Sequence, residues 1–157
     1  MREPVTAYVG LGANLGDAAM SLRHAIARIA HLPGTQLVCQ SSFYRTAPVG
    51  AGGPDYINAV VEIRTQQGAL ELLDQLQRLE NEAGRERPYP HAPRTLDLDL
   101  LLFGADRIDS ARLTLPHPRM QERAFVLVPL AEIAPALVRA EQLEAVAGQA
   151  ITRLPPA

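Results

Sequence analysis

An α+β fold, an antiparallel sheet with helices packed on it, is what this sequence predicts, and three observations predict it. Four short runs rich in strand formers and two amphipathic helical segments follow one another in the order β-α-β-β-α-β. Apolar residues make up 47% of the chain against 20% charged, the balance of a chain that buries a core. A length of 157 residues suits one core, so residues 1–157 are read as a single domain.

The elements follow from the pattern. Val5 to Leu11 is a short run of strand formers, broken by Gly10, Gly12 and Gly16. The G-x-G-x-x-x-G spacing is one residue too long for a dinucleotide fingerprint and lacks the Lys-Ser/Thr of a phosphate loop. It therefore reads as a tight strand-to-helix connection. From Asp17 to Leu32, Leu22, Ile26 and Ile29 fall at i, i+4 and i+7, the stripe of an amphipathic helix that Pro33-Gly34 ends. Leu37 to Thr46 is a second strand, and Ala47 to Pro54 a Pro/Gly-rich loop. Tyr56 to Thr65 is a third strand, carrying Ile57, Val60, Val61 and Ile63. Ala69 to Ala83 repeats helical spacing through Leu72, Leu73, Leu76 and Leu79, and Gly84 stops it before a proline-rich loop that runs to Pro93. Leu96 to Phe103 is the fourth strand. The order is that of a ferredoxin-like sandwich, with two helices on one face of the sheet. The last third reads as an arm: Arg107 to Leu115, a turn at Pro116-His117-Pro118, and helical stretches at Met120–Leu130 and Glu141–Ala147.

Composition excludes several kinds of chemistry. All 15 basic residues are arginine, which removes the phosphate-loop lysine, Schiff bases and lysine general bases. Phosphate recognition then falls to Arg forks, backbone N–H groups or metal ions. A net charge of −2 gives no basic balance for nucleic acid. No apolar run approaches the ~20 residues of a membrane span, and the N-terminus lacks the pattern of a secretory signal. Cys39 is the single cysteine, so no internal disulfide forms. The expectation is a cytoplasmic protein that engages neither nucleic acid nor membrane.

The chemistry concentrates on the fourth strand. Asp97 and Asp99 are one residue apart, so both point to one face with Cα atoms about 6.6 Å apart. The same face continues into Leu101 and Phe103, and Leu96, Leu98, Leu100 and Leu102 form the other. A strand apolar on both faces over its second half is a covered one, which places two partly desolvated carboxylates at its entrance. At ~6 Å and an effective dielectric of about 20 they repel by roughly 3 kcal/mol when both are ionised. A divalent cation or a neighbouring Arg offsets that repulsion, and Mg²⁺ held by paired oxygens brings substrate phosphates with it. Arg85, Arg87 and Arg94 lie in the loop that feeds the strand; Arg112, Arg119 and Arg123 lie beyond it. His117, stiffened between two prolines, has a ring N–H to offer a phosphate oxygen. With aromatic residues at 4%, Tyr56 and Phe125 are the rings placed to stack a flat heterocycle, although core packing alone accounts for Phe125.

Four blocks, Ser42-Phe43-Tyr44-Arg45-Thr46, Pro54-Asp55-Tyr56-Ile57-Asn58-Ala59, Pro93-Arg94-Thr95-Leu96-Asp97-Leu98-Asp99 and Leu115-Pro116-His117, closely resemble the 6-hydroxymethyl-7,8-dihydropterin pyrophosphokinases of folate biosynthesis. The likeness runs from about Thr6 to Leu137 in the family's order and spacing. The resemblance implies a monomer that transfers the pyrophosphoryl group of ATP to the hydroxymethyl oxygen of the pterin and releases AMP. It implies that Asp97 and Asp99 hold two Mg²⁺ ions and that Arg85 and Arg94 are catalytic, phosphate-clamping arginines. It likewise implies ATP contacts from Gln77, Glu80, Arg87, Arg94, Arg112, Thr114, His117 and Arg123. Thr46, Val49, Tyr56, Asn58 and Phe125 match the pterin pocket, with Tyr56 and Phe125 sandwiching the ring. The chain departs from the family's pattern at His91-Ala92-Pro93, where relatives carry Trp-Gly-Pro, and at Ala47 and Pro118. The residues by themselves leave two other readings open: a metal-dependent nucleotidyltransferase or phosphodiesterase of palm type, and a non-catalytic regulatory domain that binds a small ligand.

Overall fold

The structure, a computed structural model, describes residues 3–47, 54–84 and 96–156. In chain order the elements are β1 (Val5–Ala13), α1 (Ala18–Ala30), β2 (Thr35–Gln40), β3 (Tyr44–Thr46), β4 (Tyr56–Thr65), α2 (Ala69–Gly84) and β5 (Asp97–Phe103). There follow β6 (Ile108–Asp109), β7 (Thr114–Leu115), α3 (Ala124–Ile133), α4 (Ala140–Ala145) and β8 (Ile151–Arg153). The sheet runs β5-β1-β4-β3-β8, with β2 also on β4, and every pairing is antiparallel. This is the expected βαββαβ sandwich with a short strand from the arm added at one edge.

Three element boundaries differ from expectation for physical reasons. β1 does not stop at its first glycines; it continues through Gly10 and Gly12 to Ala13, because both glycines stay in register with β4 and β5. Only Gly16, at φ +60, acts as the turn glycine before α1, and the Asp17 carboxylate accepts from the Met20 amide to cap that helix. The strand expected over residues 37–46 is two pieces. Ser41 donates its amide to the Val60 carbonyl while its hydroxyl accepts the Val60 N–H, so a side chain replaces a backbone partner and the edge jogs. The helix expected from Met120 begins at Ala124, since Arg123 is extended after a 3-10 turn at Met120–Glu122.

The two faces of the sheet carry separate cores. α1 and α2 cover one face, where Leu22, Ile29, Leu72 and Leu76 meet Val9, Val61 and Ile63, all 0% exposed. Each such side chain contributes about 1.5–3 kcal/mol by leaving water. α3 covers part of the other face through Val126, Leu127 and Leu130, packed on Tyr8, Val60 and Leu101. Strand β5 serves both faces because of a bulge: Tyr8 pairs with Leu102 and Val9 with Leu100, so Leu101 is the extra residue. Simple alternation puts Phe103 on the carboxylate face. The bulge turns it instead into the α1/α2 core beside Leu98 and Leu100.

Glu132, near the end of α3, ties that helix to the edge of the sheet. It accepts from the Ser42 amide and hydroxyl, from Tyr44 Oη at 2.6 Å and from Arg153 at 3.3 Å. Burial pushes its carboxyl up, but these donors and the Arg153 charge outweigh burial and hold it below its ordinary value. Burial, then the bond to Glu132, pushes the Tyr44 phenol up to about 12.

Candidate active site

The uncovered end of the α3 face is a cavity of about 860 Å³. Its floor is three strands read in register. Asp99 pairs with Gly10 and Asp97 with Gly12, and across β1 Gly12 pairs with Asn58. The two carboxylates therefore face a strip of β1 that has no side chains. A Cβ at Gly12 would lie 3.0 Å from Asn58 Nδ2, so glycine there keeps the Asn58 amide in place. Asn58 is 4% exposed and accepts the Thr46 hydroxyl at 2.8 Å, a buried bond that leaves its NH₂ group to a ligand. Tyr56 from β4 and Phe125 from α3 are half-buried rings that also line the cavity. The Arg123 guanidinium lies 5.3 Å from the centre of the Phe125 ring, a cation–π contact between two side chains of the lining.

The carboxylates are wetter than the sequence predicts: Asp97 is exposed, and the Asp99 side chain keeps 43% of its exposure. The bare glycines opposite explain this, because they offer nothing to cover them. The same opening leaves room for a hydrated cation and the phosphates it carries. Among the described residues no group of three or more His, Cys, Asp or Glu is assembled to hold a metal. Two carboxylates completed by water and phosphate oxygens fit Mg²⁺, which is rarely caged by protein alone.

His117 stands beside Asp99, with Nε2 at 4.0 Å from Oδ1. Its Nδ1 accepts the Arg119 amide at 3.2 Å, so in the neutral ring the proton sits on Nε2, the nitrogen nearer Asp99. Burial lowers the His117 pKa below its ordinary 6.5; Asp99 opposes this, and the Arg123 and Arg119 charges reinforce it. The ring is a neutral N–H donor at neutral pH.

Of the residues picked from sequence, the cavity thus gathers Asp97, Asp99, Thr46, Tyr56, Asn58, Arg123 and Phe125, with His117 at its edge. Four others lie outside its lining. Glu80 on α2 accepts the amide of Leu98, the residue between the two aspartates, at 2.8 Å. Arg112 pairs with Asp74 of α2, Gln77 is exposed one turn along the same helix, and Thr114 pairs with Asp109 in the β6–β7 hairpin. Val49, Arg85, Arg87 and Arg94 lie outside the described residues, as does His91. The cavity also holds Arg119, one of the arginines noted beyond the strand, and residues that sequence reasoning missed: Gly10, Gly12, Asn14, Glu122 and Gln149. The two-residue spacing of Gly10 and Gly12 on a strand marks one bare face, which was the available signal. Gln149 had none.

The profile of the 7,8-dihydro-6-hydroxymethylpterin-pyrophosphokinase family matches residues 8–135. A 2-amino-4-hydroxy-6-hydroxymethyldihydropteridine pyrophosphokinase of Haemophilus influenzae is 50% identical over 135 residues, 85% of this chain and 84% of its own. Its counterpart in Pseudomonas aeruginosa is 47% identical over 131 residues, 83% of this chain and 81% of its own. Among solved structures, a wild-type Plasmodium falciparum HPPK-DHPS with pterin and p-hydroxybenzoate superposes with a TM-score of 0.66 at 13% identity. That match covers 86% of this chain and 40% of the other, and it speaks to the fold alone. Neither the palm-type nor the regulatory-domain reading is favoured by these matches. The chain belongs to the 7,8-dihydro-6-hydroxymethylpterin-pyrophosphokinase family and, with it, to the ATP-dependent diphosphotransferases.

Proposed function

We propose that the cavity on the α3 face is where the pterin and the ATP triphosphate meet, the pterin between Tyr56 and Phe125 and the phosphates over Asp97 and Asp99. The observation that carries this reading is the pairing of both aspartates with glycines on the floor of a cavity that also holds two rings and a buried Asn-Thr pair. In this reading Asn58 offers its amide to the edge of the heterocycle, as a ring with mixed donors and acceptors demands. Asp97 and Asp99 would hold Mg²⁺, two ions in the full complex, and bound Mg²⁺ supplies charge neutralisation on the transferred group. His117 Nε2–H and the Arg123 guanidinium donate to phosphate oxygens, and Glu80 steadies β5 through Leu98.

The reaction forms a bond from the hydroxymethyl oxygen to the β-phosphorus and breaks the bond from that phosphorus to AMP. No covalent enzyme intermediate is needed, since holding the groups in line and balancing charge account for the rate. Arg85 and Arg94 would clamp the transferred group, Arg87, Gln77, Arg112 and Thr114 would contact ATP, and Val49 would complete the pterin pocket. The chain would work as a monomer on small molecules; among the described residues no helix is long and apolar enough to cross a membrane. The test is product analysis. AMP should form from ATP only when both the hydroxymethyl dihydropterin and Mg²⁺ are present. ADP as the product, or AMP without pterin, would overturn the reading.

A further inference from the structure

The start of α3 has no cap of its own. Arg123 occupies the N-cap position and makes no side-chain cap bond, and a guanidinium cannot accept one. The next amide, that of Ala124, belongs to a residue 2% exposed, so water is a poor substitute partner. The acceptor comes from far along the chain. Gln149 Oε1 accepts the Ala124 amide at 2.9 Å, across 25 residues, while Gln149 Nε2 donates to the Glu122 carbonyl at 2.8 Å. One carboxamide thus holds the chain on both sides of Arg123, the point where the 3-10 turn gives way to the helix. Gln149 also lines the cavity. It lies beyond residues 8–135, the span of the family match, and just before β8, whose Ile151 pairs with Thr46.

We infer that Gln149 is a positioning residue for the pterin side of the site, acting through the first turn of α3 on Phe125. The inference rests on the reading of Phe125 as a wall of the pterin pocket. A shift of the helix start reaches Arg123 and Phe125, which both line the cavity, unequally. Arg123 carries its charge on a long, many-jointed side chain that absorbs a small displacement of its backbone. Phe125 has two side-chain torsions, and its ring moves with the helix. Losing the Gln149 clamp therefore acts on pterin binding and spares ATP binding.

The test is steady-state kinetics on the full chain with each substrate varied in turn, together with thermal melts. Gln149→Met keeps the length and removes both bonds; it should raise the pterin KM about tenfold, or about 1.4 kcal/mol, with the ATP KM changed less than about twofold. Gln149→Glu keeps the acceptor for Ala124 and loses the donor, so it should fold and shift the pterin KM in the same direction by about threefold. An unchanged pterin KM in either folded variant, or pterin and ATP KM rising together, overturns the inference. Phe125→Ala separates this failure from that of the underlying reading. If Phe125→Ala raises the pterin KM and the Gln149 variants do not, the clamp is wrong; if Phe125→Ala leaves it unchanged, the pterin wall is wrong.

Discussion

The two faces of this sheet are built from the same strands and end differently. On the α1/α2 face, side chains from β1, β4 and β5 meet leucines and isoleucines that fill the layer, with residues such as Leu22, Leu76 and Ile63 wholly buried. On the α3 face the same strands are apolar only at one end, where Val60 and Leu101 lie under Leu127 and Leu130. Toward the other end, β1 presents Gly10 and Gly12, β5 presents Asp99 and Asp97, and β4 presents Asn58 and Tyr56. The difference teaches that the site comes from leaving one half of one layer unfilled. The fully packed layer and the proposed site then sit on opposite sides of a shared backbone.

The sharpest way to break that comparison is at the carboxylates. Asp97→Ala or Asp99→Ala should cost at least about a thousandfold in kcat/KM while the melting temperature stays close to the parent's, because neither side chain supports a core. Retained turnover in either variant removes its role in holding the metal. The mirror experiment is Leu76→Ala on the closed face. It should lose about 2–5 kcal/mol of stability in denaturant titrations, with both KM values of the folded enzyme unchanged.

A narrower comparison lies within β1. Gly12→Ala puts a methyl 3.0 Å from the Asn58 amide, whereas at Gly10 the nearest atom, Leu101 Cδ1, is 3.5 Å away in ordinary contact. Gly12→Ala should therefore raise the pterin KM by about tenfold and Gly10→Ala by less than about twofold. Equal effects would mean that the bare strip matters as a whole and not through Asn58.

The smallest effect is that of pH on His117. Burial, helped by Arg123 and Arg119 and opposed by Asp99, depresses its folded pKa. The unfolded chain then takes up this proton first as pH falls, so the contribution is fully present above about pH 6.5 and is lost below it, down through the folded value. Replacing His117 with Gln should flatten that limb, as read from denaturation midpoints at about pH 7.5 and 5.5.

The closed face was legible from the sequence because burial there follows local period: Leu22, Ile26 and Ile29 on α1, and Leu72, Leu76 and Leu79 on α2, each mark a stripe without knowledge of the partner. Tyr56–Thr65 is a strand over the span that its composition predicts. The Asp97/Asp99 pair was legible for the same reason, since a spacing of two on a strand fixes a common face. What escaped depends on partners distant in sequence. Gly12 reads as a breaker until Asn58 is known to lie across from it, and Gln149 reads as surface until the uncapped start of α3 comes near. Ser41 hides the break in the edge strand because its hydroxyl imitates a backbone acceptor, which no apolar period records. Phe103 was misplaced because one unpaired residue suffices to reverse an alternation.

That extra residue at Leu101 makes the length of β5 a functional quantity. With it, Asp97 and Asp99 look one way and Phe103 the other, so a single strand turns acidic groups toward the cavity and an aromatic plug toward the opposite layer. Flattening the bulge at full length would swing either the plug or the acids to the wrong side, whereas removing Leu101 itself would leave a regular strand with Phe103 still opposite the acids. The facing of the two ends of β5 is therefore set by the residue count and the bulge together, and not by the alternation of its side chains alone.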